Sequence, residues 1–233
     1  MVMGTGYNPR IVTDGLVLCL DAANARSLSS NNSTSFVDLS PYKNNGSFTN
    51  TNYGAGYSSN NSGYFSFDGL SDYCSFYAPN LTTTATVEMY AKIGTSYSDD
   101  MFFGFYFYSV YCRQGNLGYN TANGDVYGIS STTVSNLGLV GNWKHYVFEM
   151  RSDVSYTNNK IYIETELQSL SQQNTSESSS NRSFNNGYGR ISTWIYDLSF
   201  SMAMDLGFFR IYNRALTADE IRQNYLATKE RYA

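Results

Sequence analysis

From Thr84 to Ile93 the chain alternates with a period of two, placing Ala85, Val87, Met89, Ala91 and Ile93 on one face. Successive side chains of a strand point to opposite sides of its sheet, so this pattern describes a strand with one face turned into a core. A second segment, Gly15-Leu-Val-Leu-Cys-Leu-Asp21, is apolar without alternation, as in a strand buried on both faces. Trp143–Met150, Lys160–Ile163 and Met204–Tyr212 read as further strands. Tyr64–Gly69 and Tyr73–Phe76 flank a tight turn over Asp68–Asp72, which predicts a hairpin. Met101–Tyr111 is the most aromatic stretch. Phe103, Phe105 and Phe107 fall on one face and Phe102, Tyr106 and Tyr108 on the other, which predicts one central strand.

Between these segments the chain is rich in turn residues. Asp38 to Gly46 is a turn cluster in which Asn45-Gly46 is the strongest signal, and 24–35, 50–63 and 169–186 are polar loops. Composition agrees, with 22 Tyr and 14 Phe in 233 residues and only 15% charged residues. Aromatics suit half-buried pleated surfaces, and the abundant Ser, Asn and Gly suit turns. A chain of this length buries about 70% of its unfolded surface, enough for a core without disulfides or a structural metal. Cys19, Cys74 and Cys112 are odd in number and widely spaced, and Cys19 inside an apolar run reads as an inert buried thiol.

Net charge is −4 with no dense basic run, which argues against nucleic acid and anionic membrane as partners. No apolar stretch approaches the roughly 20 residues of a membrane span. The opening MVMGTGYNPR lacks a secretory pattern, so synthesis in a reducing cytoplasm is expected. One helix is predicted at 217–231. Thr217-Ala-Asp-Glu220 forms a capping box, Leu216 and Ile221 occupy the staple positions, and Ile221, Tyr225, Thr228 and Tyr232 make a packing stripe. The fold class expected is all-β: a two-sheet antiparallel β-sandwich over residues 14–233 with one short C-terminal α-helix. An arm, residues 1–13, precedes it.

Five motifs in order resemble the concanavalin A-like, laminin-G-like jelly-roll domains: Asp14–Asn24, Asp38–Gly46, Phe65–Tyr73, Gly141–Val147 and Gly207–Thr217. Pro41-Tyr42 departs from the Gly-Asn of that family's second motif. The leader Gly6–Asp14 is similar to the start of virion structural proteins of tailed bacteriophages, particularly those of marine cyanobacteria. The resemblance implies an accessory virion protein decorating the capsid head by protein–protein docking, located in the virion. Its partners are then other virion proteins, the major capsid protein among them, with self-association left open. The alternative is a carbohydrate-binding adhesin module of a tail fibre or baseplate that recognises a host-surface glycan.

Glu164-Thr-Glu166 is the most enzyme-like feature, since paired carboxylates can act as nucleophile and acid on a glycosidic bond. Against that third reading, a glycoside hydrolase, Lys160–Ile163 aligns with a hairpin that puts both Glu at its turn, and Thr165 stands where a glucanase has Asp. His145, the single histidine, has no nucleophile motif beside it and reads as structural. The protein is therefore expected not to be an enzyme and to need no cofactor. Asp68 and Asp72 offer oxygen ligands to Ca²⁺, although Asp beside Gly ordinarily braces a turn, the reading preferred here. Tyr106, Tyr108, Tyr111 and Tyr119 are the candidate binding residues, for a neighbouring subunit or a sugar ring. The competing reading is that they fill the sandwich.

Overall fold

All six residues of β1 (Leu16–Asp21) are buried. Their place in the sandwich explains this. The computed structural model describes residues 9–28, 35–49, 56–94, 99–106, 108–121, 124–175 and 182–232. Its first sheet runs β14 (Glu166–Leu167), β13 (Lys160–Ile163), β12 (Trp143–Arg151), β7 (Thr84–Ile93), β17 (Ala203–Tyr212), β5 (Tyr64–Asp68), β4 (Tyr57–Ser58). β1 joins this sheet by pairing with the far half of β17. The second runs β15 (Ser171–Asn174), β11 (Val126–Ile129), β10 (Asn116–Asn120), β9 (Ser109–Arg113), β8 (Asp99–Gly104), β16 (Tyr188–Ile191), β6 (Tyr73–Tyr77), β3 (Gly46–Thr49), β2 (Ser35–Phe36). The named strand pairs are antiparallel, as a jelly roll of this class requires. Helix α1 spans Ser131–Asn136 and α2 spans Ala218–Thr228, continuing into a 3-10 turn at Lys229–Arg231.

The alternating residues of β7 face the second sheet and share one core with Phe103, Phe148 and Phe209. Phe103 meets Phe148 at 5.6 Å and Phe209 at 5.5 Å, both edge-on. Burying such a ring contributes about 2–3 kcal/mol, and an edge-to-face pair adds about 1 kcal/mol.

The outward face of the first sheet is buried too, beneath α2 and residues 10–12. Val12 donates its amide to Asn224 Oδ1 at 2.7 Å, and the Tyr212 hydroxyl donates to the Val12 carbonyl at 3.1 Å. Under this cover Glu88 accepts from Asn224 Nδ2 at 3.0 Å and contacts His145 Nε2 at 2.7 Å. Burial alone would raise the Glu88 pKa, but Arg210 and His145 together hold it below the usual range. Arg210 is itself buried, stacked on Phe208 at 3.8 Å. The α2 capping box forms with both of its hydrogen bonds, and Leu216 and Ile221 pack in one cluster. Residues 1–8 of the expected arm lie outside the described residues.

Three expectations are corrected. Tyr64–Asp68 and Tyr73–Tyr77 are not a hairpin, because β5 pairs with β17 in the first sheet and β6 pairs with β16 and β3 in the second. The Asp68–Asp72 turn therefore carries the chain from one sheet to the other. The aromatic stretch is not one strand: β8 ends at Gly104, β9 begins at Ser109, and the two pair antiparallel, Met101 opposite Tyr111. A register shift between Met101 and Phe103 lets Phe102 and Phe103 both enter the core, which the alternation could not anticipate. Phe107 lies outside the described residues. Third, part of the polar tract 169–186 is the edge strand β15, paired with β11.

Candidate functional site

Past Gly104 the chain turns and returns along β9, so β8 and β9 present Asp99, Met101, Tyr111 and Arg113 together on the outward face of the second sheet. The connection from β16 to β17 crosses that face. It is pinned by a bridge from Ser201 to Met101 and sets Trp194 and Phe200 against Met101 and Tyr111. Between these groups lies a cleft of about 380 Å³, lined also by Asn120 and Gly124.

Its floor is aromatic. Trp194 and Phe200 meet edge-on at 5.7 Å, and Phe200 meets Tyr111 at 5.9 Å. The Trp194 indole N–H donates to the Tyr106 carbonyl at 3.0 Å, which fixes the ring plane. The crossing segment is held from within as well: Asp197 caps a 3-10 turn by accepting from the Ser199 amide at 2.9 Å, and Ser201 donates to Thr193 at 3.1 Å.

The charged part of the lining is an acceptor beside a donor. Asp99 Oδ1 accepts from the Tyr111 hydroxyl at 3.2 Å and lies 3.7 Å from Arg113 Nε. Burial and the Asp99 carboxylate hold the Tyr111 hydroxyl protonated, well above its ordinary pKa. Arg113 Nη1 donates to the Gly124 carbonyl. Gly124 has φ +64°, and a Cβ there would strike the Arg113 guanidinium. Asn120 is braced rather than free, since its Nδ2 donates to the Asp125 carbonyl at 3.1 Å. The arrangement suits a flat ligand with an apolar face and hydrogen-bonding edges.

The four tyrosines named from sequence divide. Tyr111 lines the cleft and Tyr106 supports it, packing edge-on against exposed Tyr196 at 5.0 Å. Tyr108 and Tyr119 are corrected: both are buried and reach across the core to the first sheet. The Tyr108 hydroxyl donates to Asn159 Oδ1 at 2.8 Å, and that of Tyr119 donates to the Lys160 carbonyl at 2.6 Å. They present no surface to a ligand. Asp99, Arg113, Trp194 and Phe200 were missed; Trp194, one of two tryptophans, was the signal available.

Asp68 spends its Oδ1 on the turn, accepting from the amides of Leu70 at 2.8 Å and Ser71 at 3.1 Å. Desolvation opposes these bonds, yet they keep its pKa below the ordinary value, whereas burial and the nearby Asp68 raise that of Asp72. Among the described residues no group of three or more His, Cys, Asp or Glu side chains could hold a metal ion. Ile163 pairs with Glu166, so Glu164 and Thr165 are a two-residue turn, with Glu164 at φ +59°. Glu164 lines a separate hollow with Tyr90, Trp143 and Tyr225, while Glu166 is exposed. His145 is buried between Glu88 and the Glu164 carbonyl, a structural position. All three cysteines are free and buried, and burial pushes the Cys19 thiol up to about 11.

Two antiparallel sheets packed in this order, with one C-terminal helix, form a jelly roll of the concanavalin A-like type. The chain belongs to the concanavalin A-like lectin/glucanases superfamily, whose family model matches residues 67–222. No curated protein matches the sequence. Among solved structures it is similar to the botulinum neurotoxin serotype D ligand-binding domain in complex with N-acetylneuraminic acid, at TM-score 0.58 and 14% identity. It covers 92% of this chain and 51% of that one. The binding domain of Paraclostridial Mosquitocidal Protein 1 gives TM-score 0.59 at 14% identity, covering 91% and 52%. Trypanosoma rangeli sialidase in complex with sialic acid gives 0.62 at 13%, covering 98% and 35%. The chain thus spans about half of the two binding domains and about a third of the sialidase. At these identities the likeness is one of fold.

Proposed function

We propose that the protein is a carbohydrate-binding protein whose ligand lies in the cleft over Tyr111, Trp194 and Phe200. The observation that carries this reading is the pre-set aromatic floor beside an exposed carboxylate and a guanidinium. A pyranose offers a C–H face to the electron-rich ring faces and hydroxyls to the polar edge. Two of the similar structures are complexes with sialic acids, which supports a sugar as the ligand class at the level of fold. Glycan-array binding by the wild type and Trp194→Ala tests it. The variant is expected to lose at least tenfold in apparent affinity while keeping its far-UV spectrum. A wild type that retains no glycan overturns the reading.

A virion setting, with docking on other virion proteins, is the second reading. It rests on the leader resemblance, of which residues 6–8 lie outside the described residues, and on Tyr188. That side chain is 56% exposed and stacks on Tyr77 at 4.6 Å, an apolar surface pair suited to a protein partner. Localisation by cryo-EM in a purified particle tests it, and absence of the chain from such particles would sink it.

A further inference from the structure

Which sugars the cleft admits follows from how its charged groups are already spent. Asp99 Oδ1 is committed to the Tyr111 hydroxyl and to Arg113 Nε, and Arg113 Nη1 to the Gly124 carbonyl. Within this pair, Asp99 Oδ2 keeps its acceptor capacity and the Arg113 Nη2 amino group its donors, both in the lining. They stand on neighbouring strands at directly paired positions, Asp99 opposite Arg113. A lone carboxylate would select a donor-rich ligand and a lone guanidinium an anion. Side by side they match two adjacent hydroxyls, one giving its proton to the carboxylate and the other accepting from the guanidinium.

We infer that the cleft selects neutral sugars presenting a vicinal diol and discriminates against sugars bearing a carboxylate; this rests on the glycan-binding reading above. Arg113 does not attract an anion, because its charge is already compensated by Asp99. An incoming carboxylate would stand beside the Asp99 carboxylate, the acidic group of the lining. The two like charges repel, and the aromatic floor lowers the dielectric in which the repulsion acts. Hydroxyls meet no such penalty. The sialic acid ligands of the similar toxin and sialidase structures are of the class disfavoured here.

The test is an array of neutral oligosaccharides with vicinal hydroxyls, their sialylated counterparts, and the neutral set opened by periodate and reduced with borohydride. It is probed with wild type, Trp194→Ala and Asp99→Asn. Asp99 is more than half exposed in its side chain, so its amide variant is expected to fold, checked by thermal unfolding. The expected result is retention of neutral glycans at least tenfold above sialylated ones. Periodate treatment abolishes it, Trp194→Ala lowers it, and Asp99→Asn narrows the neutral-to-sialylated gap. Preference for sialylated glycans through a Trp194-dependent site overturns the inference and leaves the binding reading standing. So does binding indifferent to periodate. Glycan binding that Trp194→Ala leaves unchanged, or none by the wild type, overturns the underlying reading instead.

Discussion

Asn224 sits on the buried stripe of α2 between Ile221 and Thr228, and its side-chain amide joins three parts of the molecule. It accepts from the Val12 amide at 2.7 Å and donates to Glu88 at 3.0 Å and to the Tyr212 hydroxyl at 3.0 Å. Asn224→Ala leaves a buried amide without its acceptor and takes a donor from a buried carboxylate. A loss of about 2–3 kcal/mol in urea unfolding is expected. Glu220 carries a different signature. Its bidentate contact with Arg214, at 2.7 and 2.9 Å, comes first among the causes that hold its pKa at about 2, against 4.5 ordinarily. A depressed carboxylate contributes stability that is complete above its unfolded pKa and lost as pH falls through the folded one. The contribution is therefore present at neutral pH and disappears between about 4.5 and 2. Screening at this partly exposed position limits it to about 1 kcal/mol. Glu220→Gln is expected to be less stable than wild type at pH 7 and equal to it near pH 2, read from urea midpoints. Gly124→Ala combines a strained φ with displacement of Arg113, so weaker glycan binding with about 1 kcal/mol lost stability is expected, by calorimetric titration and thermal melts. At this scale the sequence was half legible. The capping box and the apolar stripe were plain in it. The buried Asn224, Glu88 and Arg210 were not, because a polar side chain becomes internal only through partners far along the chain.

Turns decided which elements were legible. The strands Thr84–Ile93 and Leu16–Asp21 were placed correctly by their apolar patterns, although Thr86, Glu88 and Tyr90 on the other face of the first are buried as well. β10 and β11 were missed because their outward positions hold Asn116, Gly118, Asn120 and Gly128, which blunt the alternation. The turn joining β9 to β10 is equally disguised. Gln114 and Gly115 have φ of 51° and 80°, the type I′ geometry for which Asn-Gly is the usual pair. Gln114→Asn is expected to raise the urea midpoint by an amount equivalent to about 0.5 kcal/mol, since Asn adopts a positive φ more readily. An unchanged or lower midpoint would mean that the Asn174–Gln114 hydrogen bond, 2.9 Å long, outweighs the backbone preference. The cross-sheet turn at Asp68–Asp72 was misread for a related reason. Asp-Gly marks a reversal of direction, and only the partners of the flanking strands tell whether the reversal stays within one sheet. The cleft inherits this difficulty. Tyr111 was visible as an aromatic, but Asp99 and Trp194 are about a hundred residues apart and meet only once the β16–β17 connection crosses β8.

On the scale of the whole molecule, the two sheets have opposite outer faces. That of the first is sealed by α2 and residues 10–12, whereas that of the second carries the cleft. Removal of residues 1–13 is expected to cost about 3 kcal/mol in urea unfolding. It uncovers the cluster under Val12 and breaks its two hydrogen bonds. The truncated protein should still bind what the cleft binds, and a matching loss of affinity would mean that the two faces are coupled. The family resemblance made this sandwich legible in outline, but not which face would stay open. Because residues 10–12 and α2 lie together on the sealed side, a group attached at Arg10 or at the end of α2 stands behind the domain. A cargo, a shaft or a second module attached there would leave the cleft pointing outward, as a palm faces away from the back of the hand.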